Sequence, residues 1–250
     1  MKVCIVSGRY PISKFNSAVN HKIYADKFGY TYINCNWPTK ISNPYFNKIN
    51  YLLSYVDLFD YLVWIDDDAF FYNFDKDIMD YKPIGDNIVS FCKSPDYKKL
   101  KTYISSGQFI MKCSDLAKEF LKETLIVDLK EVKKWWKPNL GYFSNGDQDA
   151  FVYLLLNNFK YKSKVAIYNY KNFNSRVDNL FGEDEHQPLV LHFTGTVEVK
   201  NSDYLKVQRH FNLNSSLVPE ELLVNYSIPS NVKSKKVILK RGLKRIYKWF

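Results

Sequence analysis

The stretch Tyr61-Leu-Val-Trp-Ile-Asp-Asp-Asp-Ala-Phe-Phe71 constrains this chain more than any other. Five apolar or aromatic residues run straight into three carboxylates, and apolar residues resume directly after them. Residues 61–65 show no polar alternation and predict a short strand buried on both faces. A strand that ends in Asp66, Asp67 and Asp68 sets several negative charges at the rim of a core, where unpartnered charge is very costly. Two readings fit: an acidic turn, or carboxylates gathered around a hard divalent cation such as Mg²⁺ or Mn²⁺.

The flanking chain favours the cation. Residues 2–7 read as a strand ending at Ser7-Gly8, and residues 16–28 as a helix with Asn16 or Ser17 as N-cap and Gly29 as its stop. Residues 30–34 form a second strand. Residues 45–59 carry Ile49, Leu52, Leu53, Val56 and Phe59 at helical spacing. This β-α-β-α-β opening predicts an α/β fold with a mostly parallel sheet flanked by helices. Ligands bind such sheets at the carboxyl ends of the strands, where the acid cluster lies. Further strands are predicted at 87–92, 164–168 and 188–193, and a small-residue turn at Ser105-Ser106-Gly107 runs into another. Helices are predicted at 114–125, 150–158 and 202–211. Trp135 and Trp136 suit either a sugar platform or packing. Residues 169–187 are polar, with few order signals.

Charge separates the chain into two parts. Of its 36 Lys and Arg, eight lie in residues 222–250, which have no Asp or Glu; this leaves 28 basic against 26 acidic residues in 1–221. A nearly neutral body argues against nucleic-acid binding. We therefore divide the chain into a nearly neutral body, 1–221, and a basic segment, 222–250. In the latter, residues 233–250 alternate Leu239, Leu243, Ile246, Tyr247 and Phe250 with lysines and arginines at helical spacing. That is the pattern of an amphipathic helix on an anionic membrane surface. The four cysteines form no C-x-x-C pair, and Met1–Val6 is too short an apolar run for a signal peptide. Together these predict a cytoplasmic protein, peripheral on the inner face of the membrane.

Three features recur at predicted strand or helix ends: Asp66/Asp68, Asp147-Gln148, and His192 followed by Gly195. In this order they resemble the metal-dependent GT-A glycosyltransferases, and more narrowly glycosyltransferase family 34. The family's W-x-D-x-D-A is matched by Trp64-Ile-Asp66-Asp-Asp68-Ala69. Its lysine after an aromatic pair is matched by Tyr45-Phe46-Asn47-Lys48, its N-T-G-x-F by Ser105–Phe109, its D-D-Q by Gly146-Asp147-Gln148, and its P-x-V-x-H-F-x-G by Pro188–Gly195. Two departures, Ser105 for Asn and Gly146 for Asp, fall near the reacting sugar.

The resemblance implies a retaining hexosyltransferase that uses Mn²⁺ or Mg²⁺ and a nucleotide-sugar donor, UDP-linked by preference. The acceptor would be a glycan or lipid-linked glycan, as in bacterial lipopolysaccharide or capsule synthesis. Asp66, Asp68 and His192 would be the metal ligands. Lys48 and the backbone at Gly195 would meet the diphosphate. Asp147 and Gln148 would face the sugar, Ser106 and Gly107 would line its pocket, and Ser7, Gly8, Tyr10 and Asp67 would lie near the nucleoside. The alternative is a non-catalytic nucleotide-sugar or glycan-binding module on the same fold.

Overall fold

The computed structural model describes residues 1–12, 14–95, 102–181 and 187–226. The basic stretch 233–250 lies outside the described residues. The chain opens with β1 (Val3–Gly8), α1 (Ser17–Lys27) and β2 (Thr31–Cys35), then α2 (Asn47–Leu53), β3 (Tyr61–Ile65) and β4 (Ala69–Phe71). It continues through β5 (Val89–Cys92), β6 (Ser105–Lys112), α3 (Asp115–Ile126), α4 (Leu129–Trp135), α5 (Asp147–Asn157) and β7 (Val165–Tyr168). It ends with α6 (Tyr170–Phe173), β8 (Val190–His192), α7 (Val197–Phe211) and α8 (Glu220–Val224).

The main sheet has the order β2-β1-β3-β6-β5-β7. Pairing is parallel throughout except at β6, which runs antiparallel to both of its neighbours. β3 is apolar on both faces because it is covered on both. Leu62 and Trp64 join the core under α2, α3 and α5, which includes Phe109, Phe120 and Phe151. Val63 and Ile65 join the core under α1, with Tyr24, Phe71 and Val190. The expected mostly parallel α/β sheet is present. The reversal of β6 brings the amino end of that strand, Ser105–Gly107, beside the carboxyl end of β3.

Among the differences from the sequence reading, three bear on the site. The helix expected over 45–59 is shorter: Pro44–Phe46 forms a 3₁₀ turn and α2 ends at Leu53. The helix expected at 202–211 begins at Val197, because the Thr196 side chain caps the backbone N–H of Val199. β4 is an additional strand that pairs antiparallel with β8, setting Ala69 opposite His192.

α1 secures that second, two-stranded sheet through polar contacts. Asn20 Oδ1 accepts from Phe71 N at 2.8 Å, and its Nδ2 donates to Phe71 O at 2.9 Å. The amide thus serves β4 as a neighbouring strand would. His21 Nε2 lies 2.7 Å from Ala69 O. Burial pushes the His21 pKa down to about 4 against the hydrogen bond to Ala69, from an ordinary 6.5. Between those values the unfolded chain binds a proton that the folded one excludes, so stability falls as pH drops through this window. An NMR titration should keep the His21 ring neutral down to about pH 4, and a midpoint near pH 6.5 would contradict this burial argument.

Candidate active site

The turn after β3 holds the acids, and its backbone is fixed from two sides. Asp66 N donates to Gly107 O at 2.7 Å, and Ala69 N donates to Asp66 O at 3.1 Å. Trp64 Nε1 donates to Asp66 Oδ1 at 2.7 Å, which gives the tryptophan of the W-x-D pattern a positioning role. β8 then delivers His192, and one ligand atom from each of Asp66, Asp68 and His192 lies within 4.8 Å of the others. Two carboxylates and an imidazole in this arrangement suit Mn²⁺ or Mg²⁺. The middle acid, Asp67, stands apart from the group and pairs with Arg9 at 3.9 Å.

Two lysines compensate these charges. Lys48 Nζ lies 3.2 Å from Asp66 Oδ1 and 3.1 Å from Asp147 Oδ2, and donates to Ser106 O at 2.9 Å. Burial alone would lower its pKa, but Asp147 and Asp66 outweigh burial and raise it. For Asp147, burial is the larger effect and holds its pKa above the ordinary carboxylate value despite Lys48. Lys200, on the first turn of α7, binds Asp68 Oδ2. Burial opposes ionisation of Asp68, yet His192 and Lys200 together hold its pKa below the ordinary value.

The sugar-side residues converge on the same spot. α5 begins at Asp147, and Gln148 Oε1 accepts from Ser106 N at 3.3 Å. Gly107 is required by its neighbour: a Cβ there would stand 2.3 Å from His192 Cε1. At Gly146 a Cβ would stand 3.2 Å from the Tyr45 ring, a tight contact that a small shift of this 59% exposed side chain would relieve. Trp135 and Trp136 pack against the main core, and Trp136 Nε1 donates to Gly141 O at 2.9 Å. Of the two readings given for this pair, packing is the one observed.

The remaining sequence candidates lie around this centre. Ser7 is buried at the end of β1, paired in register with Ile65, while Tyr10 is exposed. A Cβ on Gly8 would meet the Cys35 carbonyl at 2.1 Å, so the close approach there is to the β2 backbone. Gly195 has φ +106°, which favours glycine at the turn into α7. Sequence reasoning missed Arg9, Asn174 and Lys200. The predicted start of α7 at 202 left Lys200 outside the helix, whereas Thr196 four residues earlier was the cap that signals its true start.

No protein-family model matches the chain, and neither does any curated protein. Solved structures do. A glycosyltransferase involved in glycosylation of the major capsid of PBCV-1 is 13% identical with a TM-score of 0.59, the match covering 81% of this chain and 99% of that one. The glycosyltransferase GlyE of Streptococcus pneumoniae TIGR4 is 12% identical with a TM-score of 0.51, covering 93% of this chain and 67% of that one. The chain therefore has the GT-A fold of glycosyltransferases. The narrower likeness to family 34 rests on the motifs alone.

The buried charges make a stability prediction independent of any substrate. Lys48→Met should destabilise the protein by about 3–5 kcal/mol in urea unfolding, because Asp147 and Asp66 lose their shared cation. Adding Asp147→Leu should restore part of that loss.

Proposed function

We propose that this chain is a metal-dependent, retaining glycosyltransferase that moves a hexose from a nucleotide-sugar donor to a glycan or glycolipid. The observation that carries the reading is the meeting of Asp66, Asp68 and His192 with Lys48 and Lys200 at the strand ends of a GT-A fold. Asp66, Asp68 and His192 would hold a divalent cation, which when bound would offset the charge that builds on the departing diphosphate.

The chain's own residues supply the rest. Lys48 and Lys200 are point charges already sited at the carboxylates, so a diphosphate entering here meets two ammonium groups. Ser106 N holds Gln148 by its oxygen, which leaves the Nε2 end to face the anomeric centre or the acceptor. Asp147 accepts from donor-sugar hydroxyls. Ser106 and Gly107 line the sugar pocket, and Ser7, Gly8, Tyr10 and Asp67 lie on the nucleoside side. The backbone at Gly195 lies at the turn into the helix that carries Lys200 and faces the diphosphate. In the retaining course the acceptor attacks from the face the diphosphate leaves, and a diphosphate oxygen takes the acceptor proton. Tyr45, exposed beside Gly146, is the aromatic surface on which an acceptor sugar would stack.

UDP-hexoses with Mn²⁺ are the first donors to test, by thermal shift and by turnover. Asp66→Ala and Asp68→Ala should each lower transfer by about 10³-fold or more, and full activity in either would remove the proposed centre. Tyr45→Ala should raise the acceptor KM while leaving slow donor hydrolysis unchanged.

The basic segment 233–250 would place this reaction at the inner face of a cytoplasmic membrane, on a lipid-linked precursor of a surface polysaccharide. Vesicles containing anionic lipid should float the full chain. Changing Lys240, Arg241, Lys244 and Arg245 to Ala should abolish flotation, and undiminished binding would exclude the segment as the anchor.

A further inference from the structure

Asn174 follows α6, in a stretch that the sequence alone leaves without structure. It is 2% exposed. Its Nδ2 donates to Lys93 O at 3.0 Å. A carbonyl oxygen only accepts, so the nitrogen end of the amide must face Lys93 and the oxygen end must face the other way. Asn174 Oδ1 lies 3.3 Å from His192 Nδ1. An amide oxygen likewise only accepts, so His192 Nδ1 carries a hydrogen. In a neutral imidazole this leaves the lone pair on Nε2. Nε2 is the atom that lies 3.3 Å from Asp68 Oδ1 and faces the carboxylates.

The backbone fixes both partners. His192 N donates to Ser175 O at 2.8 Å, Ser175 N donates to Val190 O at 3.1 Å, and Asn174 N donates to Tyr170 O at 2.8 Å. On its other side the imidazole lies against Gly107, close enough that a Cβ would collide with it. The ring is thus confined by packing and held by one directional hydrogen bond.

We propose that Asn174 is a positioning residue: it locks His192 in the Nδ1–H tautomer and presents Nε2 to a divalent cation. The proposal rests on the metal reading of Asp66, Asp68 and His192. It assigns a role to a segment that carries no recognisable motif, and it ties the metal site to the Lys93 carbonyl at the end of β5.

The test uses the full chain and Mn²⁺ alone, with affinity measured by calorimetry or by electron paramagnetic resonance. Asn174→Ala should weaken Mn²⁺ binding by about 10–100-fold, the usual consequence of removing a hydrogen-bond partner of a ligating histidine. Asn174→Asp keeps an acceptor at Nδ1 and should bind Mn²⁺ close to wild type. In parallel, ¹⁵N NMR of the metal-free chain should show a hydrogen on His192 Nδ1, kept in Asn174→Asp, whereas Asn174→Ala should shift the ring toward the Nε2–H form beside Asp68. Wild-type Mn²⁺ affinity in Asn174→Ala, or an Nε2–H tautomer in the wild type, would overturn the role of Asn174. So would equal weakening in both variants with a matching fall in Tm, which would mean that only the tie to Lys93 matters. If the wild type binds Mn²⁺ no better than Asp68→Ala, the metal reading itself fails and the proposed role toward the cation falls with it. The NMR result would still decide whether Asn174 sets the tautomer.

Discussion

The structure turns on how three carboxylates are kept ionised or partnered at the end of a buried sheet. Asp68 and Asp147 are almost fully buried, and Asp66 is only partly exposed. No single element contains the means to compensate them. Lys48 comes from α2, Lys200 from α7 and His192 from β8, each from a different part of the chain. The electrostatic requirement therefore demands the tertiary fold. β6 must reverse so that Ser105–Gly107 lies beside Ile65, and β4 must turn back to pair with β8. Charge pairs in such surroundings gain little net stability over apolar packing but cost several kcal/mol when one member is lost. On the proposed function, that asymmetry suits a ligand site: the groups are held ready, and an incoming cation and diphosphate would exchange partners with them.

The same logic explains why α1 is not a simple amphipathic helix. Its buried side includes Ser17, Asn20 and His21 as well as Ile23, Tyr24 and Ala25. Beside it lies β4, a three-residue strand with β8 on one side only. Its other edge would leave backbone groups without partners in a dry interior. Asn20 and His21 satisfy them. The polar residues on this helix thus stabilise the strand that directly follows Asp68, and the acid turn is held rigidly at both ends.

What the sequence revealed follows from how local each signal is. β3 and the acids form one continuous string, so strand, rim and charge are read together. Lys48, Asp147 and Gln148 lie at helix starts, and the motif order adds them to the same centre. Lys200 and Asn174 give no such signal. A lysine three residues into a helix reads as an ordinary exposed charge until α7 is seen to begin at the Thr196 cap. Asn174 acts through a carbonyl 81 residues away and an imidazole 18 residues away, contacts that no periodicity encodes. The direction of β6 is hidden for a related reason: an apolar strand buried on both faces has the same composition whichever way it runs. Its shift in register beside Cys92 leaves no mark in sequence either.

The two departures from the family pattern gain a shared physical meaning. At position 146 the glycine removes a carboxylate beside the Tyr45 ring, where a Cβ would stand 3.2 Å away. At position 105 the serine hydroxyl accepts from Gly107 N at 3.3 Å, a local bond that stiffens the start of β6. One polar group is absent, and the other is turned inward. On the glycosyltransferase reading, the donor-sugar side of this site has lost two side chains able to grip hydroxyls. A hydrophobic or stacking surface discriminates between sugars by a factor of tens, whereas a buried polar group left unpaired discriminates far more strongly. Asp147 and Gln148 remain as the polar groups able to read hydroxyl configuration, so donor selectivity in this chain should depend on those two side chains more heavily than in a site that keeps the full pattern.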